Sequence, residues 1–107
     1  MSLDVHLERV QPTEVYWANI THNLGAMAKV AGIYEALWRP EEIGITTAGE
    51  LIKPLQAGLR KLKRSPAKYQ KYDSPNGWGK YEHFVLFVEK YLEACKEYPD
   101  ALIKVSR

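Results

Sequence analysis

At 107 residues, the chain has room for one hydrophobic core and too little for separate catalytic and cofactor domains. Its 46% hydrophobic and 26% charged content is that of a globular protein and excludes a disordered or fibrous chain. The net charge of +2 hides an asymmetry: residues 51–72 carry seven bases and no acid, whereas residues 1–50 carry seven acids and three bases.

The first segment, Asp4–Glu8, alternates polar and apolar residues, and residues 14–20 are rich in β-formers, with Gln11-Pro12-Thr13 between them as a turn. A β-hairpin is expected. From Ile20 the apolar positions Leu24, Met27, Ala31, Tyr34 and Trp38 recur at steps of four and three, predicting one helix over about 21–38. Thr21 is its cap and Pro40 its stop. Gly25 and Gly32 fall inside it, each costing about 1 kcal/mol against alanine, and suggest close approach by a neighbour or ligand.

A second helix is predicted over 47–64, opened by a Thr47/Glu50 capping box, with Leu51, Leu55, Leu59 and Leu62 on its apolar face and a bend at Pro54. Ser65-Pro66 restarts a short helical turn with serine as cap. A loop at 73–79 then leads into a third helix over 80–97, whose stripe includes Phe84, Val88, Tyr91, Leu92 and Cys95. Residues 101–105 read as a strand able to join the hairpin. The fold class is therefore α+β: an N-terminal hairpin and a C-terminal strand form a small antiparallel sheet packed on three amphipathic helices.

Two polar and aromatic clusters sit at helix entrances. Asn19, Thr21, His22 and Asn23 lie where the second strand meets the first helix, and free backbone N–H groups at such a start attract anions. Alternatively, Thr21 caps the helix, Asn19 and Asn23 satisfy loop backbone, and His22 is merely exposed. In the second cluster, Asn76 opens a loop in which Trp78 stands between glycines, offering its ring to a planar ligand, with Tyr81 as a second aromatic surface. Alternatively, Trp78 plugs the end of the core. Arg39 either clamps an anionic ligand or pairs with Glu35 or a following glutamate.

His22, His83 and Glu82 lack the spacing that puts two metal ligands on one helical face, and Cys95 is a single cysteine on an apolar stripe. No metal site, cofactor or catalytic residue is therefore assigned. The basic residues Arg60, Lys61 and Arg64 could meet an anion, but a solvated helix face is the simpler explanation. No apolar stretch approaches the roughly 20 residues of a membrane span, and Met1–Asp4 lacks signal-peptide features, so a cytoplasmic location is expected.

The segments Asn-Ile-Thr-His-Asn-Leu-Gly at 19–25, Ala-Gly-Ile-Tyr at 31–34, Leu-Trp-Arg-Pro-Glu-Glu at 37–42 and Asn-Gly-Trp-Gly-Lys-Tyr-Glu-His-Phe at 76–84 resemble a family of small proteins met in phages and bacteria. The resemblance spans most of the chain. It implies a phage-encoded protein, and small phage proteins include ones that sequester the nucleotide signals of host immunity. Three expectations follow. The first is a non-enzymatic binder of a phosphate-bearing or nucleotide-like molecule, acting against host defence and able to form homo-oligomers. The second is a module that inhibits or adapts a host protein, with neither membrane nor nucleic acid as partner. The third is a small hydrolase using His22 or His83.

Overall fold

A computed structural model describes residues 2–9 and 14–107. Among them, strand β1 (Ser2–Glu8) runs antiparallel to both β2 (Glu14–Thr21) and β3 (Leu102–Ser106), giving the strand order β2-β1-β3. The turn expected at Gln11-Pro12-Thr13 lies outside the described residues.

Alternation decides which face of the sheet is covered. Leu3, Val5 and Leu7 of the central strand are fully buried. Ile20, Ala18 and Tyr16 oppose them on β2, and Val105 and Ile103 oppose Val5 and Leu7 on β3. All belong to or pack against the apolar core beneath the helices. Asp4, His6, Trp17, Asn19 and Lys104 occupy the alternate positions on the other face, where His6 pairs with Glu14 across the hairpin.

Two long helices make up most of the second layer: α3 (Ala48–Arg64) and α5 (Tyr81–Glu97), each within a residue or so of its predicted bounds. They pack against each other, and α5 also packs on β2, where the Tyr16 ring stacks on that of fully buried Tyr91 with centroids 5.9 Å apart. The α3 start is tied to the turn that joins α5 to β3. Ala48 N donates to Ala101 O (2.9 Å) and Gly49 N to Pro99 O (2.8 Å), so helix donors that would otherwise lack partners are satisfied. The Glu50 carboxylate accepts from the backbone N–H of Thr46 (3.1 Å) and Thr47 (3.0 Å), as the capping-box pattern predicted. The helix continues through Pro54 without interruption.

The expected single helix over 21–38 is not formed. Its place is taken by a 3-10 turn at His22–Leu24, α1 (Gly25–Val30) and α2 (Tyr34–Trp38). Gly32 causes the break. It adopts φ +79°, its N–H bonds Lys29 O (3.1 Å), and the N–H of Ile33 reaches back to Ala28 O (3.0 Å). These are the two bonds of a Schellman helix end, so Gly32 is a C-terminal cap rather than an interior glycine. After α2, Pro40 opens a second 3-10 turn, Pro40–Ile43, which Gly44 closes at φ +73°. The short helix after Ser65 is α4 (Pro66–Gln70), with proline at its start as expected, but the Ser65 side chain makes no capping hydrogen bond.

Candidate functional site

The two polar clusters, separated by more than fifty residues in sequence, line one concavity of about 790 Å³. Each is brought there by its own local chemistry. At the end of β2, Asn19 pairs with Asp4 and Thr21 with Ser2 on the hairpin ladder. Thr21 leaves the sheet in extended conformation, and its hydroxyl accepts from Asn23 N (3.3 Å), the capping bond expected of it.

The opposing loop is built around Asn76 and Asp73. The Asn76 side-chain oxygen accepts from Trp78 N (2.9 Å) and Ser74 Oγ (2.5 Å), Ser74 N donates to Gly79 O (3.0 Å), and Asp73 Oδ1 accepts from Tyr81 N (2.7 Å) at the start of α5. These bonds hold the loop in a fixed turn. Asn23 then fastens it to the other wall, its Nδ2 donating to Trp78 O at 2.9 Å.

Gly79 explains how closely the walls approach. It is buried at φ +110°, and a Cβ there would lie 3.0 Å from Thr21 Cγ2 and 3.2 Å from Asn23 Cβ. Any larger residue would both strain the backbone and push the walls apart. Trp78, by contrast, is 70% exposed, so it does not plug the core as the alternative expectation had it. Its backbone is anchored while its indole faces solvent at the rim.

Asn19, Thr21, His22, Asn23, Asn76 and Trp78 thus line one cavity, joined by Ser2 and His83. Tyr81 does not. Its hydroxyl donates to Leu62 O (2.7 Å) and its ring packs against the core, where burial pushes its phenol above the ordinary value. It fastens α5 to α3 instead of offering a stacking surface. Arg39 also lies outside this cavity. It lines a neighbouring one of about 540 Å³ with Lys29, Tyr34, Trp38 and Arg107, and His22 contributes to both.

Arg39 meets Glu42 (3.0 Å), one of the following glutamates that the sequence offered it. The Tyr34 hydroxyl and the Glu42 carboxylate both favour its charged form. The rings of Tyr34 and Trp38 stack at 5.1 Å, and the His22 ring stands edge-on to Trp38 at 6.2 Å, its Nε2 buried with no hydrogen-bond partner among the described residues.

Lys29, Tyr34 and Arg107 line this second cavity without a site signal in the sequence. Tyr34 was absorbed into the apolar stripe, while Lys29 and Arg107 carry no local motif and meet only because β3 ends beside α2.

Among the described residues no group of three or more His, Cys, Asp or Glu side chains gathers to hold a metal ion, and no helix is long and apolar enough to cross a membrane. Compared with protein-family models, curated proteins and solved structures, the chain shows no significant match. The chemistry of its own residues is therefore the basis for a functional reading.

Proposed function

We propose that the protein binds a nucleotide-like small molecule in the cleft between residues 19–23 and 76–79, and holds it without turning it over. The carrying observation is the convergence of those two segments on one cavity of about 790 Å³, within the roughly 300–1,000 Å³ range of small-ligand sites. Asn19, Asn23 and Asn76 offer amide donors and acceptors to a base edge, Thr21 and Ser2 offer hydroxyls, and Trp78 offers a π-face for stacking. Glycines beside Trp78 let backbone approach the ligand. No carboxylate lines the cavity among the described residues, so neither imidazole has beside it the acid that would orient it for acid–base work. A site of this kind suits a phage protein that sequesters a host nucleotide signal.

Isothermal titration against nucleosides and linear and cyclic nucleotides tests the proposal. At least one is expected to bind, and Trp78→Ala should weaken it roughly tenfold, as loss of one base–aromatic stack does. Recovery of the ligand intact after long incubation is also expected. Failure of the whole panel to bind, or an unchanged affinity in Trp78→Ala, refutes the proposal.

A second reading rests on Arg60, Lys61 and Arg64, which are all exposed on α3 in a segment without acids. Such a face suits an acidic protein partner. Reversing those charges would abolish capture of a host protein under this reading and leave nucleotide binding intact under the first.

A further inference from the structure

The first cavity lacks one thing that a nucleotide requires. Its lining includes amides, hydroxyls, two imidazoles and an indole, but no lysine or arginine. Nor do the helix starts beside it supply a substitute field, because α1 has only six residues and the α5 start already holds the Asp73 carboxylate, which accepts from Tyr81 N at 2.7 Å. A phosphate needs counter-charge from somewhere else.

That charge lies on the other side of His22. Lys29 of α1, Arg39 after α2 and Arg107 after β3 converge on the second cavity of about 540 Å³, and no carboxylate is among its lining residues. Both guanidiniums are braced and yet incompletely used. Nη1 of Arg39 meets Glu42 Oε2 (3.0 Å), and Nη1 of Arg107 meets Trp38 O (2.9 Å) and Glu41 Oε1 (3.0 Å). A guanidinium has five N–H donors, so these bonds fix each side chain while leaving donors for an anion. Lys29 is held over the Tyr34 ring at 4.8 Å, which keeps its ammonium at the cavity. The wall shared by the two cavities is His22, whose buried Nε2 has no partner among the described residues.

We infer that the second cavity is the phosphate subsite of the same ligand. Lys29, Arg39 and Arg107 take the phosphate oxygens, and His22 lies at the junction between the phosphate and the nucleoside held by Trp78. The nucleoside half of this assignment rests on the proposed function, whereas the anion half rests on the second cavity alone.

Calorimetric titration of adenosine, guanosine, cytidine and uridine, each beside its 5′-monophosphate, separates the two halves. For any base that binds, the monophosphate should bind at least about tenfold more tightly than the nucleoside, the return expected from one or two charge-assisted hydrogen bonds. That advantage should shrink as NaCl is raised. In Lys29→Gln/Arg39→Gln the nucleotide-to-nucleoside affinity ratio should fall toward one, with an unaltered circular dichroism spectrum establishing that the fold is kept. A ratio of one in the wild type, or a ratio kept in the variant, overturns the phosphate subsite while leaving the proposed function standing.

Inorganic phosphate, followed through the Arg39 and Arg107 Nε–H signals by NMR, tests the anion half by itself. Saturable shifts of both signals in the wild type, with the Arg107 shift lost in the variant, support it, even if no nucleoside or nucleotide binds and the proposed function fails. Absent or non-saturating shifts overturn it. Inorganic phosphate that binds as tightly as every monophosphate also overturns the assignment of both cavities to one ligand.

Discussion

Gly58 offers a quantitative test of how α2 is positioned, and through it the aromatic wall of the second cavity. Alanine is favoured over glycine inside a helix by about 1 kcal/mol, so on propensity alone Gly58→Ala in the middle of α3 would stabilise the protein. Packing opposes this. A Cβ at position 58 would overlap Ile33 Cγ2, lie 3.0 Å from its Cδ1 and 3.4 Å from its Cβ. Ile33 is only 2% exposed, and its β-branched side chain has few rotamers into which to retreat.

Overpacking of this kind costs about 1–3 kcal/mol, and the stiffness of isoleucine places Gly58→Ala near the upper end. After the helical gain of about 1 kcal/mol is subtracted, a net loss of about 2 kcal/mol is expected, a fall in Tm of roughly 10 °C for a domain of this size. Urea unfolding followed by far-ultraviolet circular dichroism measures the difference directly. Ile33→Ala supplies the second arm of a cycle. It opens a cavity by itself, but combined with Gly58→Ala the added methyl occupies part of the space, so the double variant should be more stable than the sum of the singles by about 1 kcal/mol or more. Stabilisation by Gly58→Ala, or strict additivity in the cycle, would refute the close packing of Ile33, at the start of α2, against Gly58 of α3.

Three further outcomes follow from individual groups. The Glu50 carboxyl is held below its ordinary value of 4.5 by the backbone N–H groups of Thr46 and Thr47 and by the Thr47 hydroxyl. Its contribution to stability is therefore present above that pH and is lost as pH falls through the lowered value. Acid unfolding of Glu50→Gln should show a shallower dependence below about pH 4.5 than that of the wild type. Cys95 is fully buried and its thiol is pushed up to about 12, so a disulfide reagent at pH 8 should label it only at the rate of unfolding. Rapid labelling of the native protein would contradict its place in the core. The Tyr91 hydroxyl is buried without a hydrogen-bond partner among the described residues, so Tyr91→Phe should raise stability by about 1 kcal/mol in thermal or urea melts, whereas a loss would mean that the hydroxyl is satisfied.

The sheet and the long helices were legible because their signals are local and repeated. Leu3, Val5 and Leu7 alternate with polar neighbours, and the Leu51–Leu62 and Phe84–Cys95 stripes keep helical spacing over several turns. The break after α1 was obscured because the apolar positions on either side of Gly32 remain in step. Only the left-handed φ of Gly32, a property of backbone rather than of periodicity, reveals the helix end.

The candidate site divides in the same way. Turn and capping residues such as Thr21, Asn76 and Gly79 announce themselves by type, and they line the first cavity. Tyr81 was misplaced because stripe spacing gives the same signal for an aromatic that stacks on a ligand and one that bonds Leu62 O. Of the basic cavity the sequence offers Arg39 alone, as an anion clamp, since Lys29, Arg39 and Arg107 come from three separate elements and meet through tertiary packing.

The central claim, that residues 19–23 and 76–79 form one ligand site, is tested most directly by a two-dimensional NMR titration of the protein with the four 5′-monophosphates. With a nucleotide that binds, the backbone amide signals of Thr21, His22, Asn23, Gly77, Trp78 and Gly79 should shift together along one saturation curve. Shifts confined to one segment, independent curves for the two, or no shift with any of the four would contradict it.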